Sequence, residues 1–269
     1  MAYDQTQFGA MRYNLAGLHI SEITGSPAGF TAPSTDWSAP TRPPPVSPKK
    51  QPETYIAIGI DFGTTYSGVS WAFSGDPENI CEVSRWPCHE RRGQDEVQIP
   101  TQIDLQTRKW GYLIPRTCDP IRWFKLLLLN PDDTQDDVKN SDQLKAARAK
   151  LRGAPGSEAA AVVDLIAEFL RNLWKHALKD IGKEMDIDAL PLKVALTVPA
   201  IWPNYAREKM KEAARKAGIL DPRGPIGKTT LILVEEPEAA AICTLFDRRK
   251  YPEIVVSRGR ARPDDGSLT

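Results

Sequence analysis

The 269-residue sequence has few cysteines, no excess of charge of either sign and no long apolar run. Its four cysteines are scattered and no Cys-x-x-Cys pair occurs, so neither a zinc site nor a disulfide framework is supported. Basic and acidic residues balance at 35 each, so the composition lacks the excess of positive charge that is typical of nucleic-acid-binding proteins. No apolar stretch approaches the roughly 20 residues of a membrane span. We expect a cytoplasmic protein with reduced thiols that binds neither nucleic acid nor membrane.

Residues 1–53 differ from the rest of the chain because proline is abundant there. The second half of this segment holds eight prolines among Ser, Thr and Gly residues. Such a composition buries too little apolar surface to offset its ordering entropy, which predicts a disordered leader. The first ten residues lack a basic segment followed by an apolar one, so no secretory signal is predicted. Alternatively, Pro43, Pro44 and Pro45 could present a polyproline ligand.

A strand, a polar turn and a second strand are predicted over residues 56–73. Isoleucines alternate with small residues up to Asp61, which puts its carboxylate at the tip of the first strand. Gly63 permits a tight turn, and Thr64 and Thr65 supply hydroxyls and N–H groups there. Such a turn forms a concave anion site, and Asp61 can hold Mg²⁺ through water. An ordinary hairpin is the alternative, although the Asn-Gly or Asp-Gly pair that hairpin turns favour is missing.

The octapeptide over residues 60–67 resembles the first phosphate loop of the heat-shock protein 70 (DnaK-like) chaperones. That family has the actin-like ATPase fold, which it shares with sugar kinases. The resemblance implies that this chain uses ATP and Mg²⁺ as cofactors. It also implies that the nucleotide is bound by Asp61, Gly63, Thr64, Thr65 and Tyr66, with Asp61 reaching the metal through water.

A single lysine stands in the bulky apolar stretch 121–129, whose pattern fits either a strand or a helix. If buried, Lys125 needs an anionic partner, and a bound phosphate would supply one. The alternative is that its side chain snorkels to the surface. Phe124-Lys125-Leu126 resembles the lysine segment that follows the first strands in the chaperone family, and its variant in the divergent heat-shock-twelve-like branch. This resemblance implies a catalytic lysine that reaches the terminal phosphate.

The longest resemblance begins at the strand predicted over residues 192–198. Pro199 follows this strand, and Asn204 is predicted to cap a helix over residues 205–217. The order of strand, Val-Pro-Ala, aromatic residue and basic helix is similar to a chaperone segment that relays between the nucleotide and peptide domains. Pro199 matches the relay proline and Arg207 matches the relay arginine. For Pro199, simple termination of the strand is the alternative.

An acidic residue follows a further strand, predicted over residues 230–234. Pro237 comes next and suits the first turn of a helix. Glu236 would then face the same cleft as Asp61 and orient either the attacking water or water of the metal. The alternative is a helix-terminal acid that interacts only with the helix dipole. The chaperones have a closely similar segment, which implies a catalytic role for Glu236.

Together these matches predict an α/β fold with a ribonuclease-H-like (actin-like ATPase) lobe, built from a mixed sheet and packed helices. The lobe is expected to span residues 54–247, followed by a disordered or irregular tail over residues 248–269. The second phosphate loop of the family, Asp-x-Gly-Gly-Gly-Thr, and its Gly-Gly adenosine motif do not occur in the sequence. The two-lobed domain is therefore expected to be incomplete.

The resemblance implies an ATP-binding and ATP-hydrolysing chaperone domain, with ATP or ADP, co-chaperones and unfolded clients as partners. Without the opposing wall of the cleft, weak or no turnover is expected, because phosphoryl transfer depends on positioning and exclusion of water. Two alternatives stay open. One is a non-catalytic protein-interaction module derived from the same lobe, and the other is a sugar-kinase-type relative.

Overall fold

The computed structural model describes residues 54–89, 96–152, 156–224, 227 and 229–250, with residues 246–250 described by their backbone alone. The leader predicted over residues 1–53, with its polyproline run, lies outside this part. The last helix continues to Lys250, so residues 248–250 extend that helix and do not begin an irregular tail. The remainder of the predicted tail lies outside the described residues.

Eight strands make up the β-structure, and in chain order they are β1 (Ile56–Phe62), β2 (Tyr66–Phe73), β3 (Asp76–Glu82), β4 (Gln98–Pro100), β5 (Gln102–Ile103), β6 (Ile121–Arg122), β7 (Leu192–Val198) and β8 (Thr229–Glu235). The main sheet has the order β3-β2-β1-β7-β8, with β4 paired to the start of β2. The short strands β5 and β6 pair with each other. In the main sheet β2 runs antiparallel to β1 and β3, whereas β1, β7 and β8 run parallel.

This strand order, with the second strand reversed, is the arrangement of a ribonuclease-H-like lobe and confirms the predicted α/β class. Because β1, β7 and β8 are parallel, their carboxyl ends meet along one edge of the sheet, where open α/β sheets bind ligands. Asp61 lies within the last two residues of β1, Pro199 directly follows β7, and Glu236 directly follows β8. The fold therefore brings these three residues to the same edge.

Five α-helices and three 3-10 helices accompany the strands in the described residues. The α-helices are α1 (Asp136–Lys139), α2 (Asp142–Leu151), α3 (Glu158–Ile181), α4 (Asn204–Lys216) and α5 (Glu236–Lys250). The 3-10 helices are Gly111–Leu113, Phe124–Leu128 and Pro131–Asp133. Across the described ranges, no helix combines the length and the apolarity that crossing a membrane requires.

Two local predictions differ from the structure. The stretch 121–129 is neither one strand nor one α-helix, because Trp123 takes a left-handed conformation (φ 61°) between β6 and the 3-10 helix Phe124–Leu128. The prediction that Asn204 caps α4 is wrong, since Pro203 holds the N-cap position and no side chain caps the helix. The Pro203 carbonyl accepts the N–H of Ala206 at 3.0 Å, which makes Asn204 the first helical residue.

The core joins one face of the sheet to α3 and α4. Ile56, Ile58 and Ile60 of β1 are fully buried in a single hydrophobic cluster with the apolar stripe of α3. Beyond them, the ring of Phe62 lies 5.8 Å from that of Phe169 on α3. Full burial of such a side chain contributes roughly 1.5–3 kcal/mol. This packing fixes the end of β1, and with it Asp61 and the turn that follows.

Candidate functional site

Asp61 is held from the neighbouring strand by a residue that the sequence motifs did not single out. The parallel register pairs Ile60 with Leu196, so the next residue on each strand, Asp61 and Thr197, come side by side. The Thr197 hydroxyl donates to Asp61 Oδ1 at 2.8 Å. A polar residue inside the otherwise apolar end of β7 was the signal that could have pointed to Thr197, which is 6% exposed.

The electrostatic setting of Asp61 raises the pKa of its carboxyl above the ordinary value on balance. Burial raises the pKa of the Asp61 carboxyl, and the nearby Glu236 carboxylate adds to this. The Lys125 ammonium and the Thr197 hydrogen bond lower the same pKa, but they do not cancel the effect of burial. A cation placed beside Asp61 would therefore stabilise the ionised carboxylate, which burial makes unfavourable.

Lys125 is buried and paired at the same edge of the sheet. Its side chain is 2% exposed, and its Nζ donates to Glu236 Oε1 at 2.9 Å. The ammonium also lies 5.7 Å from the centre of the Phe62 ring and 5.5 Å from that of Trp202, within the range of cation–π attraction. The structure thus disagrees with a lysine that snorkels to the surface, and it adds Trp202 to the site.

Glu236 occupies the junction between β8 and α5. It is the first residue of the helix, so it lies at the positive end of the helix dipole as well as beside Lys125. Its side chain is 35% exposed, whereas its partner lysine is almost fully enclosed. The carboxylate can therefore move into solvent more easily than the ammonium can.

The turn after β1 is held in shape by Thr101, the residue between β4 and β5. The register that pairs Phe62 with Ser67 leaves four residues between them, Gly63, Thr64, Thr65 and Tyr66, of which Tyr66 begins β2. Next to the turn, the Thr101 N–H donates to the Thr65 carbonyl at 2.8 Å, and the Ser67 and Thr101 hydroxyls share a buried 2.8 Å hydrogen bond. The turn is consequently a fixed element beside Asp61.

Replacing Gly63 by alanine is expected to destabilise the fold by roughly 1–3 kcal/mol and to distort the turn, because a Cβ at this position would lie 2.1 Å from the Tyr66 carbonyl oxygen. Urea unfolding measures the decrease in the free energy of unfolding. Gly182→Ala is the matched control, since its Cβ would come no closer than 3.0 Å to Leu178 O. Equal stability of the two variants would contradict this account of the turn.

The two predicted relay residues lie at the end of β7 and on α4. Arg207 Nε donates to the carbonyl of Trp202 at 3.1 Å, and Arg207 Nη2 donates to the carbonyl of Ala200 at 3.0 Å. Nη2 also donates to Glu235 Oε1 at 2.7 Å. Arg207 thereby links the segment after Pro199 to the end of β8 by hydrogen bonds and an ion pair. Glu235, which the sequence motifs did not mark, is the neighbour of Glu236 in the chain.

Relatives of the chain are found among the heat-shock protein 70 chaperones. Heat shock 70 kDa protein 12A of Mus musculus is 30% identical over 256 residues, which cover 82% of this chain and 36% of that protein. Heat shock 70 kDa protein 12B of Homo sapiens is 28% identical over 255 residues, or 85% of this chain and 35% of that protein. Chaperone protein HscA of Proteus mirabilis (strain HI4320) is 37% identical over 207 residues, or 75% of this chain and 30% of that protein. The resemblance to this family, including its heat-shock-twelve-like branch, is confirmed.

The similarity concerns only part of these proteins, because the chain spans about a third of the length of the curated relatives it matches. No protein-family model matches the chain. Among solved structures, a ROK family protein from Streptococcus pneumoniae TIGR4 in complex with sucrose aligns with a TM-score of 0.28 and 12% identity, over 74% of this chain and 61% of that one. A TM-score this low bears on neither fold nor function.

Proposed function

We propose that this chain, similar in sequence to the heat-shock protein 70 chaperones, forms one wall of a site for ATP and Mg²⁺. The observation that carries the proposal is the meeting of Asp61, Lys125 and Glu236 at the carboxyl edge of the sheet, beside the turn that begins at Gly63. A buried ammonium, two carboxylates and an anion-binding type of turn are the groups that a metal-bound triphosphate requires.

The residues present fit a hydrated magnesium ion better than a metal enclosed by protein ligands. Among the residues that the structure describes, no group of three His, Cys, Asp or Glu side chains could hold a metal ion. Mg²⁺ commonly keeps several waters and uses one or two carboxylates with phosphate oxygens. Asp61 is the carboxylate that supports such an ion here, because burial already makes its negative charge unfavourable when it stands without a cation.

Each residue has a separate role in the proposed site. When bound, Mg²⁺ offsets phosphate charge during transfer. Lys125 would exchange its hydrogen bond to Glu236 for one to the terminal phosphate. Glu236, released by this exchange and partly exposed, would accept a hydrogen bond from the attacking water and orient it. The backbone of residues 63–66 would contact the phosphates, with Gly63 allowing the tight turn that brings its Cα against the Tyr66 carbonyl.

We propose that these residues bind ATP and Mg²⁺, and we expect little or no turnover from them alone. The second phosphate loop and the Gly-Gly motif of the family do not occur in these 269 residues. A cleft with one wall loses much of the positioning and exclusion of water that phosphoryl transfer needs, so these residues alone would hydrolyse ATP weakly or not at all. Co-chaperones and unfolded clients, partners implied by the family, are proposed only for a protein that includes the remaining parts.

Calorimetric titration of the 269-residue chain with ATP, with excess Mg²⁺ and again with EDTA, tests the proposal. We expect saturable binding that magnesium tightens, and slow phosphate release in the absence of any sugar. Phosphate release that requires an added sugar would favour the sugar-kinase alternative instead. Absence of nucleotide binding under both conditions would overturn the proposal and leave a protein-interaction module as the better explanation.

A further inference from the structure

The Thr197 hydroxyl is a buried polar group near the end of an otherwise apolar strand. Thr197 lies on β7, which is paired on both sides by β1 and β8, and its neighbours Leu196 and Val198 are fully buried. A buried hydroxyl without a hydrogen bond destabilises a protein by roughly 1–3 kcal/mol. Here the hydroxyl donates to Asp61 Oδ1 at 2.8 Å. The hydroxyl is therefore satisfied by Asp61, the carboxylate that we propose supports the magnesium ion.

We propose that Thr197 is a positioning residue, which fixes the orientation of the Asp61 carboxylate so that its second oxygen is available to magnesium-bound water. This inference rests on the proposed ATP and Mg²⁺ site and adds a residue to it. Thr197 does not itself touch nucleotide or metal. It acts by engaging one carboxylate oxygen of Asp61 and leaving the other to the ligand.

The geometry of Thr197 suits this role. Threonine is branched at Cβ, so its χ1 angle is restricted, and its backbone lies in the interior of the sheet. The two charged groups near Asp61, Lys125 and Glu236, act on the carboxylate through space, and such forces depend less on orientation than a hydrogen bond does. The hydrogen bond from Thr197 is directional and selects one of the two carboxylate oxygens.

Two substitutions of Thr197 separate the hydroxyl from the packing. Thr197→Val keeps the shape and removes the donor, and Thr197→Ser keeps the donor and removes a methyl group. Binding of ADP is measured by calorimetry with excess Mg²⁺ and with EDTA. For Thr197→Val we expect the magnesium-dependent tightening to fall roughly tenfold, as for the loss of one charge-assisted hydrogen bond. Its affinity in EDTA should stay within about twofold of wild type, and Thr197→Ser should restore most of the tightening.

The possible outcomes decide between the inference and the proposed site. A Thr197→Val variant that binds ADP with the magnesium dependence of wild type overturns the inference alone. ADP binding that is weakened equally in magnesium and in EDTA also overturns it, because Thr197 would then affect the structure of the whole site and not the magnesium ion in particular. Thermal unfolding of the ligand-free variants, expected within a few degrees of wild type, shows whether the fold is intact. A wild-type protein without magnesium-dependent binding overturns the proposed site, and the inference with it.

Discussion

Replacing Asp61 by asparagine is expected to abolish magnesium-dependent nucleotide binding while it stabilises the ligand-free protein at neutral pH. Burial raises the pKa of Asp61, so the folded protein holds this proton more tightly than the unfolded chain does. The ionised carboxylate consequently lowers the free energy of unfolding at pH 7. Asparagine removes the charge and keeps an oxygen that can accept the hydrogen bond from Thr197.

The sign of this effect fixes its pH dependence. For a carboxyl whose pKa is raised by folding, stability declines as the pH rises from the ordinary value of 3.8 through the raised value. The stability advantage of Asp61→Asn should therefore shrink toward zero as the pH approaches 3.8, and grow as the pH rises from 3.8 toward the raised pKa of the folded state. In a protein of this size each kcal/mol shifts Tm by about 2–4 °C.

Thermal unfolding of wild type and Asp61→Asn between pH 4 and pH 8, without ligand, measures the difference directly. Asp104→Asn is a useful comparison, because hydrogen bonds from Thr107 and the local backbone lower the pKa of Asp104 despite some desolvation. That variant should lose stability at neutral pH. If Asp61→Asn is also less stable than wild type at pH 7, the buried carboxylate is better compensated than its surroundings indicate.

Replacing Lys125 by methionine is expected to weaken ATP binding roughly tenfold to a hundredfold, with a smaller effect on ADP, because the lost contact is to the terminal phosphate. The fold should persist. Methionine fills a cavity next to aromatic rings well, and the rings of Phe62 and Trp202 border this position. Glu236 is left without its cationic partner, but it is 35% exposed and can be hydrated.

Calorimetry with ATP and with ADP, both in excess Mg²⁺, gives the two affinities. Lys175→Met serves as the control, since Lys175 is an exposed lysine on α3 and lies outside the site. Equal weakening of both nucleotides by Lys125→Met would place the lysine away from the terminal phosphate. Unchanged binding of both would remove Lys125 from the site altogether.

The sequence was sufficient to predict the residues at the ends of strands. Asp61 lies in the last two residues of a recognisable strand and Glu236 directly follows another, and parallel strands necessarily bring their carboxyl ends to one edge. Lys125 was recognisable as the single lysine within the apolar stretch 121–129. These features depend on local periodicity, so they could be predicted without knowing which strands are neighbours.

The features that were not predicted depend on lateral contacts. Thr197 meets Asp61 only because β7 is placed beside β1 in one particular register. Trp202 lies 5.5 Å from the Lys125 ammonium although the two residues are far apart in the chain. The left-handed backbone conformation of Trp123 could not be predicted either, because tryptophan rarely adopts it. Such contacts have no signature in local sequence patterns.

The pairing of β1 with β7 also determines when the site can form during synthesis. Asp61 and Thr197 are 136 residues apart in the chain, and Glu236 comes later still. At about 5–20 residues per second, a ribosome needs roughly 7–27 s to extend the chain from the first of these to the second. During that interval β1 can pair with its hairpin partner β2. The isoleucine face of β1 stays uncovered until α3 has been synthesised. The carboxyl edge of the sheet is therefore a late product of folding, and a nascent chain that ends before β8 would leave β7 without one of its two sheet neighbours and Lys125 without Glu236.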